Sequence, residues 1–116
     1  MENAYGNSRK IPTPEARALY HALVKLGIPA ELEKYDGYKT IDIAITRAKV
    51  NIEVDGPQHK NNANQALADL KRTIYSFQKD YVTLRIPYCL INEHLEEAAP
   101  LIAKFIWESM DQLRFG

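Results

Sequence analysis

The chain has 116 residues, 46% of them hydrophobic and 26% charged, with 15 basic side chains balancing 15 acidic ones. That length suits one domain able to bury a core unaided, and the composition excludes a disordered, collagen-like or membrane-spanning polypeptide. Polar residues stand at the N-terminus where a signal peptide carries an apolar run, so a cytoplasmic protein with no membrane partner is expected. The single cysteine, Cys89, can form no internal disulfide and reads as a packing residue. Zero net charge is unusual for a phosphate binder. The basic residues nevertheless gather mid-chain, from Arg47 to Arg85, and acids such as Glu96, Glu97 and Glu108 dominate the end, which allows a local basic surface.

Residues 1–12 have no periodic apolar pattern and read as a flexible leader, with 13–116 forming one domain. The first helix starts at Thr13, a capping residue followed by Pro14 and Glu15, and stops at Gly27; Ala16, Leu19, Tyr20, Leu23 and Val24 form its apolar stripe. Strands are expected at Ala30 to Tyr35, Tyr38 to Ile45 and Val50 to Asp55, the first two joined by an Asp36-Gly37 turn. A second helix spans 62–79, with Leu67, Leu70, Ile74 and Phe77 as its buried stripe, and a fourth strand covers Tyr81 to Ile86. The remainder is helical from about Asn92, with Pro100 interrupting the helix or beginning its main segment. The order α-β-β-β-α-β-α predicts an α/β (α+β) domain built on a mixed four-stranded sheet flanked by helices.

If strands two and three join by a tight turn at Arg47-Ala48, Ile45 faces Val50 and the count brings Asp42 opposite Glu53, with Asp55 two residues further on the same face. Like charges directly opposite destabilise a sheet by ~0.2 to 1 kcal/mol per pair. A divalent cation bound by hard oxygen ligands removes that repulsion, and Mg²⁺ in phosphoryl-transfer sites takes such ligands. The competing reading is a solvated sheet face on which Lys39, Lys49 or Lys60 balances the acids. The apolar settings IDIAI and VNIEVDG favour central strands with half-buried carboxylates. His59, four residues past Asp55 and beyond a Gly-Pro turn, can fold back over the patch and titrates in the range a general base or acid needs. His21 and His94 lack such neighbours and read as structural. Arg85, on one strand face with Tyr81 and Thr83, can hold either a phosphate or an internal carboxylate.

The stretch IDIAITRAKVNIEVDGPQHK resembles the PD-(D/E)xK-type nucleases related to the very short patch repair endonucleases, the EDxHD family with its restriction-endonuclease-like three-layer fold; RAP domains share the E-V-D-G-P-x-H wording. Thr13-Pro-Glu15, Asp69-Leu-Lys-Arg72-Thr and Tyr81-Val-Thr-Leu-Arg85-Ile extend the similarity across roughly residues 13 to 90. The resemblance implies a metal-dependent endonuclease acting on DNA with Mg²⁺, for which Mn²⁺ substitutes. It makes Asp42, Glu53 and Asp55 the metal ligands, His59 the proton carrier, and Glu15 and Asp69 the leading and following acids. The nuclease pattern has Lys two residues after the Glu, where this chain has Asp55, so Lys60 or Lys71 is left to supply that charge. Lys60, Lys71, Arg72 and Arg85 are the expected nucleic-acid contacts. Two other readings are an RNA-binding or RNA-cleaving module of the RAP kind, and an inactive nuclease-fold domain that joins a protein partner or a second copy through Phe105, Ile106 and Trp107 of the last helix.

Overall fold

The computed structural model describes residues 11–57 and 63–115. Helix α1, Pro14–Lys25, begins as its cap dictates: the Thr13 hydroxyl accepts the Ala16 amide at 3.1 Å and Pro14 takes the first position. Ala16, Leu19 and Leu23 are buried and Tyr20 packs beside them, whereas Val24, expected in the stripe, is exposed at the far edge of the helix. Gly27 follows with φ of 89°, a left-handed turn that glycine adopts without steric cost.

Strands β1, Glu31–Tyr35, β2, Thr40–Ile45, and β3, Val50–Asp55, form an antiparallel meander. A 3-10 turn at Thr46–Ala48 joins β2 to β3, and Lys49 completes it in the left-handed conformation. Helix α2, Ala63–Gln78, then crosses over to β4, Val82–Pro87, which pairs parallel to β3. The sheet order is β1-β2-β3-β4, and α3, Tyr88–Phe115, closes the chain. This is the mixed four-stranded α+β architecture expected, with the predicted order of elements.

One face of the sheet carries Ile43, Ile45, Val50, Ile52 and Ile86, which pack against Leu19 and Leu23 of α1 and Ile91, Ile102 and Ile106 of α3. Each such side chain, fully buried, contributes about 1.5 to 3 kcal/mol, so this layer supplies most of the driving force for folding. Of the three α3 residues offered as a partner surface, Ile106 belongs to this core, while Phe105 and Trp107 are 36% and 45% exposed, Trp107 lying 3.5 Å from where a side chain at Gly27 would stand. The break in the helix falls at His94 (φ −138°, ψ 35°), and Pro100 is carried inside the helix at an exposed position where water can take the carbonyl its missing N–H leaves. Cys89 is exposed, contrary to the packing role expected.

The other face of the sheet is covered by α2, and here the sequence pattern misleads. Leu67, Leu70, Ile74 and Phe77, expected to be buried, are 51%, 55%, 46% and 77% exposed. The helix turns Asp69, Arg72 and Ser76 inward instead, three residues at i, i+3 and i+7. The reason is what it covers: this sheet face bears Asn51, Glu53, Asp55, Thr83 and Arg85, and polar groups there need polar partners. Replacing Leu70 or Phe77 by Lys is therefore expected to change unfolding free energy by less than about 0.5 kcal/mol in a denaturant titration; a loss of several kcal/mol would place the stripe inward after all. Among the described residues no helix is long and apolar enough to cross a membrane.

Candidate functional site

The β2–β3 ladder pairs Ile45 with Val50, Ala44 with Asn51 and Ile43 with Ile52, as the alternation of apolar residues predicts. One step further the count reaches Asp42 and Glu53, and both are buried, at 6% exposure each. The Asp42 carboxylate reaches to β3, where its Oδ2 accepts the Val54 amide at 2.8 Å. Glu53 accepts an ion pair from the Lys39 ammonium, which also lies 3.5 Å from the Thr40 carbonyl.

Lys39 reaches Glu53 because of the turn that precedes β2. Asp36 Oδ1 accepts the amides of Tyr38 and Lys39 at 2.7 and 2.8 Å, and the Asp36 amide donates to the Lys39 carbonyl at 2.9 Å. This pins the backbone at Lys39 so that its side chain runs back over the sheet. The pair is nearly enclosed, with 13% of the Lys39 side chain and 8% of the Glu53 side chain exposed. An ionised carboxylate at such depth costs several kcal/mol unless a cation meets it.

Asp55, expected among the metal ligands, is met by a cation from the neighbouring strand. Arg85 of β4 holds it in a two-pronged contact, Nη2 to Oδ1 at 2.6 Å and Nε to Oδ2 at 3.3 Å. The same guanidinium stands 3.9 Å from Asp69 of α2, which Arg72 holds at 2.7 Å. Asp55, Arg85, Asp69 and Arg72 thus form a line of alternating charge from the sheet to the helix. The choice left open for Arg85 falls to the internal carboxylate, and Asp69 lies off the apolar stripe because it faces the sheet.

The remaining candidates are not gathered here. Glu15 accepts a hydrogen bond from the Asn92 side chain of α3 at 3.0 Å, and Lys71 is exposed on α2. His59 and Lys60 lie outside the described residues. His21 stacks edge-on against Tyr20 at 5.1 Å, and His94 lies 3.6 Å from Glu97 on the surface, both away from the carboxylates. Among the described residues, no three His, Cys, Asp or Glu side chains come close enough together to hold a metal ion by themselves.

In the sequence Lys39 stands out only as a balancing charge, and nothing marks Glu33. By the β1–β2 register, which pairs Leu32 with Ile43 and Lys34 with Ile41, Glu33 falls beside Asp42. Its backbone is left-handed at φ 56°, and both of its carboxylate oxygens are shielded from solvent. A positive φ at glutamate is uncommon, and no residue in ELEKY signals it. Glu33, Asp42 and Glu53 thus follow one another across three strands.

The donor set suits a hard divalent cation. Asp42 and Glu53 offer carboxylate oxygens on adjacent strands, with the Lys39 ammonium beside one of them. What the described side chains supply are two acids rather than a closed cage, and Mg²⁺ characteristically accepts few protein ligands and keeps its remaining positions for water and phosphate oxygens.

No family model matches the chain. A curated protein, the voltage-dependent calcium channel type A subunit alpha-1 of Apis mellifera, is 29% identical over 122 residues, covering 100% of this chain but only 6% of that protein. The channel's name describes a polypeptide of which this chain spans a small fraction. Among solved structures, the catalytic domain of the homing endonuclease I-Bth0305I superposes with a TM-score of 0.66 at 20% identity, over 84% of this chain and 98% of that one. The likeness extends over nearly the whole of that domain, and it establishes that this chain has the same fold.

Proposed function

We propose that this chain is a metal-dependent nuclease domain that hydrolyses phosphodiester bonds in DNA. The observation that carries the proposal is the burial of Asp42 and Glu53 side by side on β2 and β3, with Lys39 drawn onto Glu53. A domain selected for stability alone has little reason to sink two acids and a lysine where apolar side chains of the same volume would cost less. The fold shared with a homing endonuclease catalytic domain supports the same reading.

In this reading Asp42 and Glu53 are the residues that would hold Mg²⁺, whose chemistry there would be to polarise a phosphate and lower the pKa of an attacking water. Asp42 is oriented by the Val54 amide and Glu53 by Lys39, so neither has to search for its position. Lys39 takes the part of the nuclease lysine that Asp55 displaces, placing a positive charge where the pentavalent phosphate gathers negative charge. The line through Asp55, Arg85, Asp69 and Arg72 stiffens the far side of the site. Because Arg72 and Arg85 already hold carboxylates, the phosphate contacts beyond the site fall to Lys71 and Lys60. His59 remains the candidate for moving the proton.

A second reading, a binding module without activity, draws on the same contacts: Asp42 and Glu53 each have an internal partner, as they would in a retired site. Incubating the protein with end-labelled duplex DNA, single-stranded DNA and RNA, in Mg²⁺, in Mn²⁺ and in chelator, separates the two. Chelator-sensitive cutting of DNA is the expected result. Cutting of RNA alone would favour the RAP-like module, and binding without cutting in either metal would favour the inactive domain.

A further inference from the structure

Between the sheet and α2, next to the carboxylates, lies a cavity of about 300 Å³. Tyr75, Tyr81, Asn51 and Ser76 line it, together with the charged side chains of Lys34, Asp36 and Lys79. It adjoins the candidate site directly. Asn51 and Glu53 are two residues apart on one strand and so share a face, and Ser76 lines both this cavity and the narrow crevice beside Lys39 and Glu53.

The geometry points to a pocket for one unpaired nucleobase of a DNA strand whose backbone runs past Lys39 and Glu53; this rests on reading the α2 side of the sheet as a nucleic-acid surface. The volume lies at the low end for ligand pockets, enough for a single flat ring system and not for a large cofactor. Its walls suit such a ring. Tyr75 is fixed before anything binds: its ring packs on Tyr38 at 5.0 Å, and its hydroxyl donates to the Asp36 carbonyl at 3.4 Å. That hydroxyl also comes within 3.3 Å of where a Cβ on Gly37 would be, so the turn glycine leaves room for it. The Lys79 ammonium lies 5.6 Å from the Tyr75 ring and that of Lys49 5.9 Å from the Tyr81 ring, an interleaving of aromatic and cationic groups suited to stacked bases and their phosphates.

Asn51 gives the pocket a means of holding a base edge. The residue is 4% exposed, and among the described residues the hydrogen bond of its side chain is a long one, Nδ2 to Ser76 Oγ at 3.4 Å. A carboxamide has two donor hydrogens and two acceptor lone pairs, so a second donor and the carbonyl oxygen remain for a ligand. Donor and acceptor side by side match a nucleobase edge, as when Asn contacts adenine. A buried amide with capacity to spare, facing a tyrosine-walled space beside two acids, is poorly explained by packing alone.

The test uses a single-stranded oligodeoxynucleotide with one 2-aminopurine, titrated with the full chain in chelator so that nothing is cut. Fluorescence quenching on binding is expected as the reporter stacks in the pocket. Tyr81→Ala should abolish the quenching and weaken binding by about 5- to 100-fold. An oligonucleotide abasic at the reporter position should bind wild-type protein more weakly by a similar factor, a comparison that does not depend on a variant folding. Binding with unchanged fluorescence and no penalty for the abasic site would overturn the pocket. Cleavage of duplex DNA in Mg²⁺, measured alongside, separates the two ideas: cutting without quenching sinks the pocket alone, and neither cutting nor binding sinks both.

Discussion

Asp42→Asn is expected to leave the domain folded while lowering metal-dependent cleavage by about 10³-fold, the scale on which loss of a group stabilising transition-state charge is felt. Asparagine keeps an oxygen that can accept the Val54 amide, so the contact that orients the side chain survives. What disappears is the negative charge a divalent cation needs. Asp42→Ala differs, because it leaves the Val54 amide without its acceptor in a buried position and should cost about 1 to 3 kcal/mol. Thermal melts in chelator should therefore place Asp42→Asn near wild type and Asp42→Ala lower by several degrees, roughly 3 to 6 °C for each kcal/mol in a domain of this size. Full activity in Asp42→Asn would remove this residue from the site, and equal destabilisation by both substitutions would make its role structural.

Lys39→Met should have the second largest effect, and on two readouts. Cleavage should fall by about 10²-fold, since a positive charge beside the reacting phosphate is lost. Stability in chelator should fall by roughly 3 kcal/mol, the scale of leaving one partner of a buried ion pair uncompensated. Mg²⁺ should restore part of that stability, because a bound cation neutralises Glu53 in place of the ammonium; a purely structural Lys39–Glu53 pair would show the same deficit with and without metal. Lys39→Arg should recover much of the stability in chelator, and cleavage less fully, because a planar guanidinium does not occupy the position of a compact ammonium.

The β2–β3 register was legible because Ile41, Ile43 and Ile45 alternate with short or charged residues, and because the Arg47-Ala48 turn leaves one way of bringing Ile45 to Val50. The cap at Thr13 and the turn at Asp36-Gly37 were legible for the same reason: each depends on a few neighbouring residues with specific backbone chemistry. What could not be read depended on distant partners. The periodicity of α2 identifies an apolar stripe but says nothing about which side meets the protein, and the polar sheet face beneath it turned Asp69, Arg72 and Ser76 inward. The pairing of Arg85 with Asp55 needs β4 to lie parallel beside β3, which no local pattern specifies. Lys39 reaches Glu53 across 14 residues, and the left-handed backbone of Glu33 has no signature in its own strand. In α3 the proline drew attention to position 100, while the kink formed six residues earlier at His94.

Mn²⁺ binding followed by electron paramagnetic resonance measures directly whether Asp42 and Glu53 together hold a divalent cation. In wild-type protein, saturable binding should appear over the same Mn²⁺ range in which DNA cleavage begins. Asp42→Asn and Glu53→Gln should each abolish both the binding and the cleavage while remaining folded. Mn²⁺ binding that survives both substitutions, or cleavage that persists in chelator, would mean that Asp42 and Glu53 are not the metal ligands of a nuclease site.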